Sequence, residues 1–516
     1  MNKKNNAIGT VGFIFIAMML AKILGQVREI VIAGTYGTAW MADAYVAASQ
    51  IPTNFFDMIL GSAVSASFIP VFNKFMKEEG EQRAKRFAGA FFNVISLVTI
   101  ILSVCGVAFA PLLIKIFTPG ISGETAALAV TLLRIMFPMI IFIGAAFTFV
   151  GILQSMGEYN LPAVMSMVSS GACIIYLLTL NNKFGITGLA TSLLIGWILQ
   201  FIILTPSTLK KGFRFNTHIA DSGIKNVAVL ALPVLIGTWV QPINVMINTW
   251  IASSIGGVSA INYANKLYLI AAGVFAMSVT NYIFPKLSRL SISEEDKENW
   301  MEMFMTSVKT VIFVVAPIAV IFITESGEII RVIYQRGQFD EKSVAVTGGA
   351  LLFYSIGILP YALQEVMYKS FYSRRNSKVP MLIALTGIAI NIPLSFILSR
   401  LLGVNGLALA TSLAVITTMV ISFVVITKDS GHFGGFFKEL LKILFMAAAA
   451  GAVIMIVKNI MISLVGINNF AARLLVLAAA SSAGAVVYII MAFIMKIPAV
   501  TGIVEMLKKR GGGDIQ

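Results

Sequence analysis

The chain has 516 residues, of which 58% are hydrophobic and only 12% charged, and its mean hydropathy is +0.90. Soluble domains carry about a quarter charged residues, so a soluble globular protein is excluded and a polytopic membrane protein is implied. The net charge of +15 does not point to nucleic acid, because the basic residues fall in short loops between apolar runs.

In chain order, Lys3 and Lys4 precede an apolar run that continues past the length of a secretory signal and acquires internal charges. It reads as a retained first span. Runs long enough to cross about 30 Å of hydrocarbon follow near 7–33, 39–72, 87–113, 125–152, 161–180 and 186–205. A basic amphipathic connector, 207–225, leads to a second set near 226–251, 257–285, 303–323, 343–368, 379–399 and 404–427. Two further runs, 440–458 and 468–495, precede a basic tail, Lys508, Lys509 and Arg510. The expected fold is an all-α polytopic membrane protein of roughly fourteen transmembrane helices. Its expected parts are an N-terminal six-helix lobe (1–206), a cytoplasmic linker (207–225), a C-terminal six-helix lobe (226–428) and two additional helices with the tail (429–516). Alternate loops collect most of the Lys and Arg, including Lys74, Arg83, Lys210, Arg374 and Lys378. With those loops inside, both termini are cytoplasmic.

The two sets of six read as a repeat. Gly185 and Gly188 recur as Gly403 and Gly406, Ser155 as Ser373 and Pro162 as Pro380, each at an offset of 218 positions. Repeats running in the same direction imply two bundles about an axis along the membrane normal, with substrate between them.

Polar residues inside the spans mark the functional region. Asp43, Gln50, Asn54 and Asp57 fall seven, four and three residues apart, one side of a helix with 3.6 residues per turn. The preceding span carries Lys22, Arg28 and Glu29. An ionisable group at a span centre costs about 2.5–3.5 kcal/mol on insertion scales, so such groups pair, line a wet cavity or snorkel to the interface. In the second set Gln241, Asn244 and Asn248 form a stripe, and Asn262 and Lys266 open the next span. Interhelical hydrogen bonding explains the neutral residues equally well. The excess of Lys22, Arg28 and Lys266 over Asp43 and Asp57 suits an anionic or diphosphate substrate.

No catalytic pattern emerges. His218 and His432 are the only histidines and have no metal-ligand spacing; Cys105 and Cys173 lie within apolar runs, and no Walker loop is present. A transporter with no cofactor is expected, coupled to membrane potential or to a monovalent cation.

Several stretches together carry a resemblance: Leu24 to Glu29, Ala42 to Tyr45, Phe68 to Phe72, Tyr334 to Asp340 and Phe371 to Pro380. Over nearly the whole chain the sequence resembles the MurJ (MviN) family of lipid II flippases, in the multidrug/oligosaccharidyl-lipid/polysaccharide exporter superfamily. The resemblance implies two six-helix lobes plus two helices, and alternating-access transport of undecaprenyl-diphosphate-linked peptidoglycan precursor to the outer leaflet of the bacterial cytoplasmic membrane. It implies that Arg28, Lys22 and Lys266 engage the diphosphate, that Glu29 and Asp43 are their acidic companions, and that the partners are lipid II, membrane lipids and the cell-wall synthesis machinery. Family members often carry arginine after the second-span proline, whereas this chain reads Pro52-Thr53-Asn54. Beside this reading stand export of another polyprenyl-linked glycan or a small molecule by the same fold, and a non-transporting scaffold for cell-wall enzymes. The small residues of 447–451 and 478–484 fit either a groove for the polyprenyl tail or close helix packing.

Overall fold

A computed structural model describes residues 2–58, 67–216, 218–291, 296–428, 435–467 and 469–497; of residues 2–11, 15, 232–238, 240, 241, 274–279, 281 and 282 only the backbone is described. The basic tail and His432 lie outside these residues.

All described elements are helices. In order they are α1 (Asn2–Tyr36), α2 (Trp40–Phe56), α3 (Ile69–Glu78), α4 (Glu81–Ala108), α5 (Ala110–Phe117), α6 (Gly123–Met136), α7 (Met139–Ser155), α8 (Asn160–Thr179), α9 (Asn181–Lys210) and α10 (Ser222–Thr238). Then come α11 (Val240–Ile255), α12 (Val258–Leu290), α13 (Lys297–Thr324), α14 (Ser326–Tyr334), α15 (Glu341–Ser355), α16 (Ile358–Ser373), α17 (Lys378–Leu402), α18 (Val404–Thr427), α19 (Phe436–Val465) and α20 (Phe470–Ile494). Among the described residues nine helices are long and apolar enough to cross a bilayer, or ten if α15 and α16, bent by 45°, form one broken span. The count of fourteen is not reached on this measure. Expected span 226–251 is divided between α10 and α11, 17 and 16 residues long, and of expected span 39–72 the described residues give α2, of 17 residues, and the start of α3.

The chain packs as two compact units. The first comprises residues 1–259 together with Arg336–Phe339. In it α1 packs on α8, α2 on α6, and α9 on both α7 and α8. Its core includes a run of fully buried rings, Phe68, Phe72, Phe87 and Phe91, the first and last with centroids 4.7 Å apart.

The connector is bound to this unit along α4. Phe213 is 2% exposed, with ring centroids 5.8 Å from Phe92 and 5.3 Å from Phe149. Asn93 Nδ2 donates to the carbonyls of Asn216 (2.7 Å) and His218 (2.9 Å). Nearer the start of α4, Arg83 holds Asp221 through two bonds of 2.8 and 3.0 Å. Asp221 accepts in turn from the Gly223 N–H, which starts α10. Asn93 thus pairs two backbone carbonyls of the connector beside its buried anchor, Phe213.

The turn Arg336–Phe339 is seated on the end of α1, where Gln338 N donates to Gly34 O at 2.8 Å. Gly37 ends α1 at φ +62, and a Cβ there would come within 2.4 Å of Gln338 O. Both the conformation and the space require glycine.

The second unit, 260–335 and 340–516, is built around α13, which packs on α15, α16 and α19. Hairpins α17–α18 and α19–α20 complete it. Ion pairs join α19 to α13 near both ends, Lys309–Glu439 at 2.8 Å and Lys458–Glu325 at 2.9 Å, while Tyr488 of α20 donates to Phe313 O at 2.9 Å. A Cβ on Gly484 would meet Ile454 at 2.4 Å. The glycine of this small-residue run is thus used for close packing of α20 on α19.

The repeat is visible in the backbone. Helices α7 and α16 end 218 positions apart, as α8 and α17 begin. Gly185 (φ 55, ψ −146) and Gly403 (φ 59, ψ −134) share one conformation. The turns after Ser155 and Ser373 form the same three backbone bonds, to the carbonyls of 153 and 154 in one and of 371 and 372 in the other.

Candidate functional site

The charged stretch of α1 is organised by its own neighbours. Arg28 Nη2 donates to Glu29 Oε1 at 2.8 Å, with Arg28 about a quarter exposed and Glu29 nearly buried. Tyr45 of α2 and Cys173 of α8 lie close enough to Arg28 to act on it electrostatically. The Nε of Arg28 is buried without a hydrogen-bond partner, so the guanidinium is only part-used by the protein. An intramembrane arginine with spare donors is a natural holder of a phosphate or carboxylate. Lys22, two turns earlier on the same helix, is exposed.

The stripe on α2 is present, but within the first unit its members are engaged. Asp43 Oδ1 accepts from Ser259 N (2.7 Å) and Ser259 Oγ (2.6 Å), and Oδ2 from Gly257 N at 3.4 Å. The carboxylate therefore faces the backbone donors of the turn after α11, while Glu29 is the ion-pair partner of Arg28. Gln50 Oε1 accepts from Thr249 Oγ1 at 2.6 Å. Asn54 is buried one turn on. Gln50, Asn54, Thr118 and Thr249 line a pocket with ≈ 10 Å³ of room for a water-sized sphere, enough for about one water and for no head group. Asp57 follows the last residue of α2 and is exposed.

On α11, Asn248 is buried and Asn244 half-buried, whereas the side chain of Gln241 lies outside the described residues. Asn262 and Lys266 are half-buried on α12 and belong to the second unit. Asp43, Gln50 and Asn54 are thus gathered with residues of the first unit that sequence spacing did not single out: Thr249, Ser259 and Thr118. Ser and Thr in apolar runs are too common to flag by themselves, but Thr249 adjoins Asn248 in the stripe. Ser259 stands in the Gly256-Gly257-Val258-Ser259 break, which does mark a helix start.

A family model described as lipid II flippase MurJ matches residues 32–461. The probable lipid II flippase MurJ of Treponema pallidum (strain Nichols) is 27% identical over 430 residues, covering 80% of each chain. That of Rhizobium tropici is 30% identical over 422 residues, 77% of this chain and 76% of its own. Among solved structures, lipid II flippase MurJ in an inward closed conformation superposes with a TM-score of 0.78 at 27% identity, covering 94% of this chain and 99% of its own. An inward-facing multidrug resistance MATE family transporter of the MOP superfamily shares the fold at 14% identity, with a TM-score of 0.67 over 80% of this chain and 96% of its own. The apolar helices make this a polytopic membrane protein, and a family match running from the end of α1 into α19 shows that the chain belongs to the lipid II flippase MurJ family.

Proposed function

We propose that this chain flips lipid II, the undecaprenyl-diphosphate-linked peptidoglycan precursor, from the inner to the outer leaflet of the bacterial cytoplasmic membrane. Family membership over residues 32–461 is the observation that carries the reading. The partly used Arg28 guanidinium supports it chemically. Arg28, Lys22 and Lys266 engage the diphosphate; Glu29 holds Arg28 in place. Asp57, Gln241, Asn244, Asn248 and Asn262 contribute to the polar path, and Asp43, Gln50 and Asn54 hold the helices that frame it. The lobes of alternating access are residues 1–206 and 226–428, joined by the connector, with both termini inside. Transport proceeds without covalent chemistry by this chain. Its energy comes from the membrane potential acting on charge in the path, about 2.3 kcal/mol per charge per 100 mV, or from a monovalent cation.

Binding tests the assignment. Purified protein in lipid nanodiscs should capture lipid II, with at least a tenfold loss of affinity in Arg28→Ala and in Lys266→Ala. Equal affinity in the parent and both variants would remove these residues from the substrate site.

A further inference from the structure

The two equivalent turns of the repeat have one backbone but opposite chemistry. After α7 the turn reads Met156-Gly157-Glu158-Tyr159-Asn160, and 218 positions later it reads Arg374-Arg375-Asn376-Ser377-Lys378. In the first, the left-handed position belongs to glycine, Gly157 at φ +79. In the second it belongs to Arg375 at φ 55. A side chain in that region costs on the order of 1 kcal/mol, and glycine at the matching position shows that the backbone does not call for one. A net charge of −1 on the first turn becomes +3 on the second.

The second turn is also held. The Arg374 guanidinium lies 3.5 Å over the ring of Trp300. Trp300 is buried and donates through Nε1 to Ser373 Oγ at 3.2 Å. Ser373 O accepts from Ser291 Oγ at 2.6 Å, at the end of α12. Asn376 Oδ1 accepts from Val379 N at 3.2 Å, closing the turn onto α17. Arg375 and Lys378 are exposed, and among the described residues neither has a carboxylate within 4 Å. The acids on the adjoining start of α13 are Asp296, Glu298 and Glu302. Arg289, at the end of α12 next to Ser291, adds a further exposed cation.

We propose that the turn Arg374–Lys378 is a phosphate-binding site for the headgroup of an anionic phospholipid of the inner leaflet. The turn joins the broken span α15–α16 to the span α17, and a headgroup phosphate at the membrane surface is the anion that its three cations, one of them held over Trp300, meet. The site rests on the inside placement of this turn in the proposed function; the binding readout does not use flipping, so either can fail without the other.

The test is native mass spectrometry of the full-length protein released from detergent, titrated separately with phosphatidylglycerol and phosphatidylcholine. Arg375→Gly restores the residue of the matching turn and is expected to fold at least as well as the parent. Each cation near a charged surface contributes about a fivefold preference. Phosphatidylglycerol occupancy should therefore fall about fivefold in Arg375→Gly and further in Arg375→Gly/Lys378→Gln, with phosphatidylcholine unchanged. Competition by millimolar inorganic phosphate would show that the phosphate itself is recognised, and a lack of competition that recognition needs the lipid; both agree with the site. Equal adducts of the two lipids on the parent, or phosphatidylglycerol binding that survives the double substitution, would overturn it.

Discussion

Arg28 and Glu29 are neighbours in sequence and partners in space, and each makes the other tolerable inside the bilayer. Removing one member of a buried pair costs about 3–5 kcal/mol because the other is left unpaired; Glu29 is 7% exposed and is the more dependent partner. Glu29→Gln, which keeps shape and accepting oxygen, should lower thermal stability in detergent less than Glu29→Ala, while both lower lipid II affinity by loosening Arg28. Equal affinity in parent and variants would show that Arg28 needs no positioning. Asp43 makes a sharper case. Its oxygens are occupied by Ser259 and Gly257 donors, and an amide oxygen can accept the two shorter bonds from Ser259, losing only the 3.4 Å one from Gly257. Asp43→Asn should retain most transport and Asp43→Ala lose most of it; loss in both alike would return a proton or ion role to this carboxylate. The positions of these residues were legible from spacing because polar side chains stand out in apolar runs. Their partners were not, since Ser259 and Thr249 carry no such contrast, and a water-sized pocket cannot be told from a wide cavity by periodicity.

Helix ends and contacts set the next scale. Asp340 caps α15, accepting from Ser343 N and Ser343 Oγ, both at 2.8 Å. These bonds hold its carboxyl below the usual carboxylate range. A carboxyl with a lower pKa folded than unfolded adds stability above its unfolded value, about 3.9, and loses it as pH falls through the folded value. Asp340→Ala should cost about 1 kcal/mol at neutral pH, and melting curves of parent and variant should begin to converge below about pH 4 and meet only once the carboxyl is protonated in the folded protein. A difference that persists in acid would mean the cap does not work through its charge. In the α19–α20 hairpin, Gly484→Leu should destabilise by about 1–3 kcal/mol through overpacking against Ile454, read as a lowered melting temperature with the fold retained; an unchanged melt would contradict the close packing. The spans themselves were legible from long apolar runs. Their breaks were less so: the bend between α15 and α16 and the division of 226–251 into α10 and α11 interrupt helices without interrupting hydrophobicity. The connector reads as a basic amphipathic linker, and the residue that anchors it, Phe213 among the rings of α4 and α7, could not be picked from the sequence because those rings lie over sixty residues away.

For the whole molecule, the repeat is the feature that sequence and backbone share most closely. Gly185 and Gly403 recur at an offset of 218 because only glycine enters that conformation without strain, while the three-bond turn recurs in backbone even where Arg375 replaces glycine. At Arg375 the second half departs from the first in both residue type and charge. Family membership gives the chain its fold and its proposed task, and that task is a movement of lipid II that no static contact displays. Its most direct test is the flipping of lipid II in bacterial cells depleted of their own flippase, with outer-leaflet precursor scored by its accessibility to an external cleaving enzyme. The parent chain should restore accessibility, and Arg28→Ala at equal membrane abundance should reduce it at least tenfold. A parent that inserts correctly and restores nothing would contradict lipid II flipping by this chain.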